Sequence, residues 1–186
     1  MNMTGALTGT IFLLSGALAS AAAASDPAQS CPLHAQHQAQ TAAHESDQPA
    51  QHDHLAGVDH RGDEVMGFSH ERTSHHFLLE PEGGTIQVEA KDSGDTESLK
   101  QIRSHLAEAA RQFTAGDFSM PQEIHDRVLP GVPEMIQRKD AITYRYEDLE
   151  KGGRVVIRTS DPEAVAAIHA FLQAQIGDHR TGDPMH

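Results

Sequence analysis

The sequence predicts an α+β domain made of two ββα units, with one four-stranded antiparallel sheet and two helices. Two Gly-Gly turns, at residues 83–84 and 152–153, each lie between segments in which apolar and polar residues alternate. A longer segment with apolar residues at helical spacing follows each hairpin. One hairpin alone buries too little apolar surface to be stable, so we expect both hairpins to join one sheet beneath the helices.

The first unit has strands at His76–Glu80 and Thr85–Ala90, joined by a turn at residues 81–84. Asp95 can cap the start of the helix that follows, and Gly116 can end it. The apolar residues of this helix fall on one face: Leu99, Ile102, Leu106, Ala109, Ala110 and Phe113.

The second unit repeats this order, with strands at Ile142–Tyr146 and Arg154–Thr159. Ser160 and Glu163 have capping-box spacing at the start of the closing helix. The apolar face of this helix resembles that of the first: Val165, Ile168, Leu172 and Ile176. Between the units, residues 117–139 contain three prolines, so we expect mostly irregular structure there.

The N-terminus predicts export. Residues 1–24 combine an apolar stretch with small residues at their end, which is typical of a cleavable signal peptide. The stretch is shorter than the roughly 20 residues that a membrane span needs. We therefore expect a periplasmic or secreted protein that is not inserted in the membrane after cleavage. Its single cysteine, Cys31, excludes an intramolecular disulfide.

Residues 25–60 are predicted to be a disordered acidic tail, because they contain no Lys, Arg or aromatic residue. The folded domain is expected over residues 61–180, with a polar C-terminal tail at 181–186. Histidine-rich tracts are a metal-binding composition, although histidine can also replace other polar residues in a linker. The tail contains six histidines: His34, His37, His44, His52, His54 and His60.

Charge and motifs narrow the classes of function. The chain has 27 acidic and 14 basic residues and a formal net charge of −13. An acidic surface disfavours nucleic acid and anionic lipid as partners and attracts cations. The sequence has no nucleophile elbow, phosphate loop, zinc-protease motif or haem attachment motif, so we expect a protein that is not an enzyme.

The densest group of metal-ligating residue types lies just before the first strand and within it: Met66, His70, His75 and His76. Neighbouring residues on a strand point to opposite faces, so only one of His75 and His76 can reach a given site. The Pro-rich connection supplies His125 and Met120 as further candidate ligands. Imidazole with thioether favours copper, and zinc is the second choice.

Six segments resemble a family of small exported bacterial proteins whose function is not established. They are residues 62–77 (GDEVMGFSHERTSHHF), 102–106 (IRSHL), 116–119 (GDFS), 124–126 (IHD), 130–133 (PGVP) and 167–172 (AIHAFL). The resemblance covers about residues 62–183. Some members bear the name aspartate carbamoyltransferase, but the carbamoyl-phosphate loop of that enzyme has no counterpart here. The resemblance therefore implies export and no catalytic residues.

Two functions follow from these patterns. The first is a periplasmic copper- or zinc-binding protein for metal sequestration or homeostasis, which uses a subset of the six candidate ligands. The alternative is a small-ligand or protein-interaction module of the cell envelope, in which the histidines are structural. Histidines that converge would favour the first, and histidines that are separately hydrogen-bonded would favour the second. On their helices, His105 and His169 are expected to be packing residues.

Overall fold

The structure, a computed structural model, describes residues 53–186; the predicted signal peptide and the tail up to residue 52 lie outside the described residues. The elements in chain order are α1 (53–66), β1 (Thr73–Glu80), β2 (Gly83–Ala90), α2 (Thr96–Ala115), α3 (Ser119–His125), α4 (Val132–Gln137), a 3-10 turn (Lys139–Ala141), β3 (Thr143–Leu149), β4 (Gly152–Arg158) and α5 (Pro162–His179). Within this part of the chain, no helix is both long enough and apolar enough to cross a membrane.

The four strands form one antiparallel sheet in the order β1-β2-β4-β3, so the predicted α+β class is confirmed. The two hairpins meet through β2 and β4. Helix α2 packs mainly on β3 and β4, whereas α5 packs on β1 and β2. Each helix therefore covers mainly the hairpin of the other unit, and the core lies between the helices and the sheet.

One side chain from each long helix binds the turn of the hairpin beneath it. Arg103 of α2 donates hydrogen bonds to the carbonyl oxygens of Gly152 (3.2 Å) and Leu149 (2.7 Å). His169 of α5 does the same in the other unit, with Nε2 at 2.9 Å from the Glu80 oxygen and 3.0 Å from the Gly83 oxygen. His169 thus has a structural role.

The close approach of β2 and β4 depends on a glycine at the start of each strand. A Cβ atom on Gly83 would lie 2.2 Å from the carbonyl oxygen of Ile157, and one on Gly152 would lie 1.9 Å from that of Val88. These distances are far below van der Waals contact, so only glycine allows the two hairpins to pair in this register.

The folded region differs from the sequence expectation at both ends. Helix α1 already includes residue 53, before the predicted boundary at Arg61, and its Val58 is fully buried. At the other end, the Asp183 carboxylate accepts a hydrogen bond from the backbone N–H of Phe77 (2.9 Å) and lies 3.0 Å from His76 Nδ1. The C-terminal residues are therefore fixed along the edge of β1.

The Pro-rich connection also has more regular structure than expected, because it contains α3 and α4. Pro133 lies in the first turn of α4, where a missing backbone N–H costs nothing. The consequence for the site is that α3 carries Met120 and His125 across the inner side of the sheet.

Candidate functional site

Four histidines from four different elements line one partly open cavity between the helices and the sheet. They are His75 of β1, His105 of α2, His125 at the end of α3 and His179 at the end of α5. The cavity has a volume of about 50 Å³ and is also lined by Met66, Met120 and Gln175 and by apolar side chains. We call it the histidine cavity.

The structure divides the six predicted site residues into two groups. Met66, His75, Met120 and His125 line the histidine cavity. His76 points to the other side of β1, as strand alternation requires, and lies against Asp183. His70 lies outside the cavity, where its Nδ1 is 2.9 Å from Asp63 Oδ1. The structure therefore brings four of the six together.

His75 contributes a buried ring nitrogen to the cavity. Its Nε2 has no hydrogen-bond partner among the described residues, and His54 Nε2 is the other buried histidine nitrogen without one there. The ring of His75 is stacked between aromatic neighbours, with centroids 6.0 Å from Phe68 and 5.4 Å from His179. Burial, followed by repulsion from His179 and His105, lowers the pKa of His75 to about 3. The ring is therefore neutral at physiological pH, which is the form that binds metal ions.

His125 is fixed by a buried carboxylate. The side chain is 1% exposed, and its Nδ1 donates a hydrogen bond of 2.7 Å to Asp178. Burial opposes ionisation of Asp178, but hydrogen bonds from His125 and Arg127 outweigh it and lower the pKa of this carboxyl. Nε2 of His125 lies 2.9 Å from Gln175 Oε1, so both ring nitrogens have partners within the protein. A carboxylate behind an imidazole is also how proteins orient metal-binding histidines.

His179 and His105 complete the cavity. The His179 ring lies edge-on to His125, with centroids 5.2 Å apart. Burial lowers the pKa of both His179 and His105 to about 4, with repulsion from His125 adding to the effect on His179. The cavity therefore contains three imidazoles that stay neutral well below pH 6.

The sequence interpretation missed these two histidines. It assigned His105 to helix packing and did not select His179 as a candidate ligand. Helical spacing could have identified His179, because it lies three residues after the buried Ile176 and seven after the buried Leu172. His105 lies three residues after the buried Ile102 in the same way.

The distances between the rings suit a shared ion, but the orientations of the rings in this structure do not. Metal–nitrogen bonds are about 2 Å long, so two imidazoles on one tetrahedral ion have centroids about 5 Å apart. His179 has this spacing to both His75 and His125. However, the planes of His75 and His179 are nearly parallel, at 7°. Among residues 53–186, no three His, Cys, Asp or Glu side chains are already arranged to hold a metal ion. Binding would therefore require the rings to turn.

Comparisons of the chain with family models, with curated proteins and with solved structures give no match. The chemistry of the cavity is thus the basis for a functional proposal. It offers neutral nitrogen and thioether sulfur donors in an apolar enclosure, and no carboxylate lines it.

Proposed function

We propose that the protein is an exported metal-binding protein that holds one copper ion in the histidine cavity, in metal sequestration or homeostasis. The observation that carries the proposal is the buried, unpartnered Nε2 of His75. A buried polar atom without a partner costs about 1–3 kcal/mol, and a ligand that binds this atom would recover that cost.

The donor set favours copper. Met66 and Met120 line the cavity together with the histidines, so their thioether sulfur atoms are candidate donors. Soft sulfur ligands with imidazole select Cu(I), whereas magnesium and calcium require oxygen. Zinc is the second choice, because three histidines can bind it without sulfur. The absence of a lining carboxylate also suits the single charge of Cu(I) better than a divalent ion.

The size of the cavity favours an ion over an organic ligand. A volume of about 50 Å³ accommodates a few water-sized groups. Sites for drug-sized ligands are several times larger, at roughly 300–1,000 Å³.

The alternative is an interaction module with structural histidines, and specific contacts favour it for some residues. His76, His125 and His169 each lie within hydrogen-bond distance of a protein oxygen. The environment of His75 is what distinguishes the two proposed functions. A structural histidine would be expected to have a partner for Nε2, and the alternative gives no reason why it has none.

The N-terminal region has a supporting role in the proposal. The signal peptide over residues 1–24 would direct the protein to the periplasm or the medium. The histidine-rich tail would then capture ions loosely and raise their local concentration near the domain. An envelope protein would be the partner that delivers or receives the ion.

A competition titration with Cu(I) and a chromophoric chelator, under reducing anaerobic conditions, tests the proposal on the mature protein. The cavity variant is Met66→Leu/Met120→Leu, which removes both sulfur atoms at nearly constant volume. The tail variant replaces His34, His37, His44 and His52 with Gln and Cys31 with Ser. We expect one tightly bound copper in the wild type and the tail variant, and at least tenfold weaker binding in the cavity variant.

The same titration with zinc is the control for metal identity. The double Met→Leu change should leave zinc binding within about twofold, because zinc would use imidazole nitrogen alone. Tight copper binding that survives in the cavity variant and disappears in the tail variant would refute a site in the domain.

A further inference from the structure

A surface groove lies directly outside the histidine cavity, and two histidines belong to both. The groove has a volume of about 270 Å³, and its lining includes four histidines, His70, His75, His76 and His179, together with Asp59, Lys91 and Arg180. His75 and His179 also line the histidine cavity. Two imidazoles therefore connect the groove to the histidine cavity.

His70 is oriented so that one of its nitrogens is available in this groove. The Asp63 carboxylate accepts hydrogen bonds from the backbone N–H of His70 (2.8 Å) and from its Nδ1 (2.9 Å). An ionised carboxylate can only accept, so Nδ1 donates to Asp63 and Nε2 is the nitrogen left to bind an ion. This Nε2 lies 3.9 Å from Asp59 Oδ2.

The His70 and Asp59 atoms are close to the spacing of two donors on one ion. With metal–ligand bonds of about 2 Å, two donors on a tetrahedral ion are about 3.3 Å apart. A shift of about half an ångström would therefore suffice. Arg180 also pairs with Asp59, and the His70 side chain is 35% exposed. Competition from Arg180 and from water makes this pair a weak site that releases its ion easily.

Building on the proposed function, we infer that the groove is the entry route of the copper ion, with His70 and Asp59 as its first, transient ligands. The ion then passes to His75 and His179 and from there to the cavity. Each step is a ligand exchange in which one donor replaces another, with no change in oxidation state. His70, one of the predicted ligands that lies outside the cavity, thereby acquires a role.

If the ion enters by this route, substitution of a relay residue should change the rates of copper loading and release but not the dissociation constant. Residues that only relay the ion speed its entry and its exit equally, so their loss leaves the dissociation constant unchanged. In stopped-flow transfer of Cu(I) from a weak chelator to the tail variant defined above, His70→Ala and Asp59→Asn should each slow loading several-fold, because each removes one of the two first ligands. Release to excess strong chelator should slow by the same factor.

His60→Gln is the matched control, because His60 is on the same helix as Asp59 but lies outside the groove. It should leave both rates unchanged. Unchanged rates in His70→Ala and Asp59→Asn would overturn the route and leave the copper site intact. A dissociation constant that rises with them would overturn the relay, because these residues would then be ligands of the resting site. Absence of copper binding in the parent protein would instead refute the proposed function, and the route with it.

Discussion

Replacing His75 with phenylalanine should stabilise the metal-free protein and abolish its copper site. The change keeps an aromatic ring in the stack with Phe68, Phe77 and His179. It removes the buried Nε2 that has no partner among the described residues. A residue that is retained because it binds a ligand is expected to lower the stability of the ligand-free protein.

The expected gain follows from the structure. Removing an unsatisfied buried polar atom gains about 1–3 kcal/mol. The larger ring of phenylalanine can extend into the adjacent cavity of about 50 Å³, so the cost of overpacking should be small. A net gain of about 1–2 kcal/mol would raise the melting temperature of a domain this size by roughly 4–8 °C.

Urea denaturation of the metal-free protein, followed by circular dichroism, measures this gain, and His125→Phe is the matched control. In the control, the same substitution leaves the buried Asp178 carboxylate without its hydrogen bond from His125. It should destabilise the protein by about 2 kcal/mol or more. Loss of stability in His75→Phe would refute the reasoning, because it would show that His75 has a structural role.

Two further predictions concern the apoprotein. The pKa values of His75, His105 and His179 lie at about 3 to 4 in the folded protein, against 6.5 for an unperturbed imidazole. As the pH falls, the unfolded chain therefore binds protons at these histidines before the folded protein does. The free energy of unfolding is highest above pH 6.5 and decreases as the pH drops towards 4, by up to about 1.4 kcal/mol per histidine at pH 5.5. Denaturant midpoints that stay constant from pH 7 to 5 would contradict this, and His75→Phe should reduce the dependence. Gly152→Ala should lower the free energy of unfolding by about 3 kcal/mol or more, because its Cβ would overlap the Val88 oxygen. Gly177→Ala in α5, with open space around it, should raise the free energy of unfolding by about 0.5–1 kcal/mol. Equal thermal stability of the two variants would be inconsistent with the β2–β4 packing.

The sheet could be predicted because its signals are local. Two Gly-Gly turns between alternating segments specify the two hairpins, and Asp95 caps α2 as predicted. At α5 the prediction was one residue off, because the N-cap is Asp161 and not Ser160: the Asp161 carboxylate accepts hydrogen bonds from the backbone N–H groups of Glu163 and Ala164. The structure adds that each helix packs mainly on the hairpin of the other unit. This arrangement of the helices depends on the close pairing of β2 with β4, and the residues of these two strands are far apart in the chain.

The start of the fold was harder to predict. Helix α1 buries Val58 fully and Met66 nearly so, within a segment of mostly polar composition. Two apolar anchors eight residues apart are too few for a periodic signal. The helix is held by tertiary contacts, such as the hydrogen bond from Arg61 to the carbonyl oxygen of Ile124.

The candidate site was predictable in part. Residue type and strand alternation identified His75 and His125 as candidates, but they could not show that the two lie around one cavity. His179 was missed because residues near a C-terminus were assumed to be exposed. Its position depends on α5 continuing to this residue, so that the ring faces β1 and α3.

X-ray absorption spectroscopy of the Cu(I)-loaded tail variant tests the copper site most directly, because it identifies the ligand atoms. A site in the histidine cavity predicts imidazole nitrogen at about 2.0 Å and sulfur at about 2.3 Å in the same spectrum. The sulfur contribution should disappear in the Met66→Leu/Met120→Leu variant, since Cys31 has already been replaced. A tail variant that retains no copper, or a spectrum that is identical with and without the two methionines, would contradict the account.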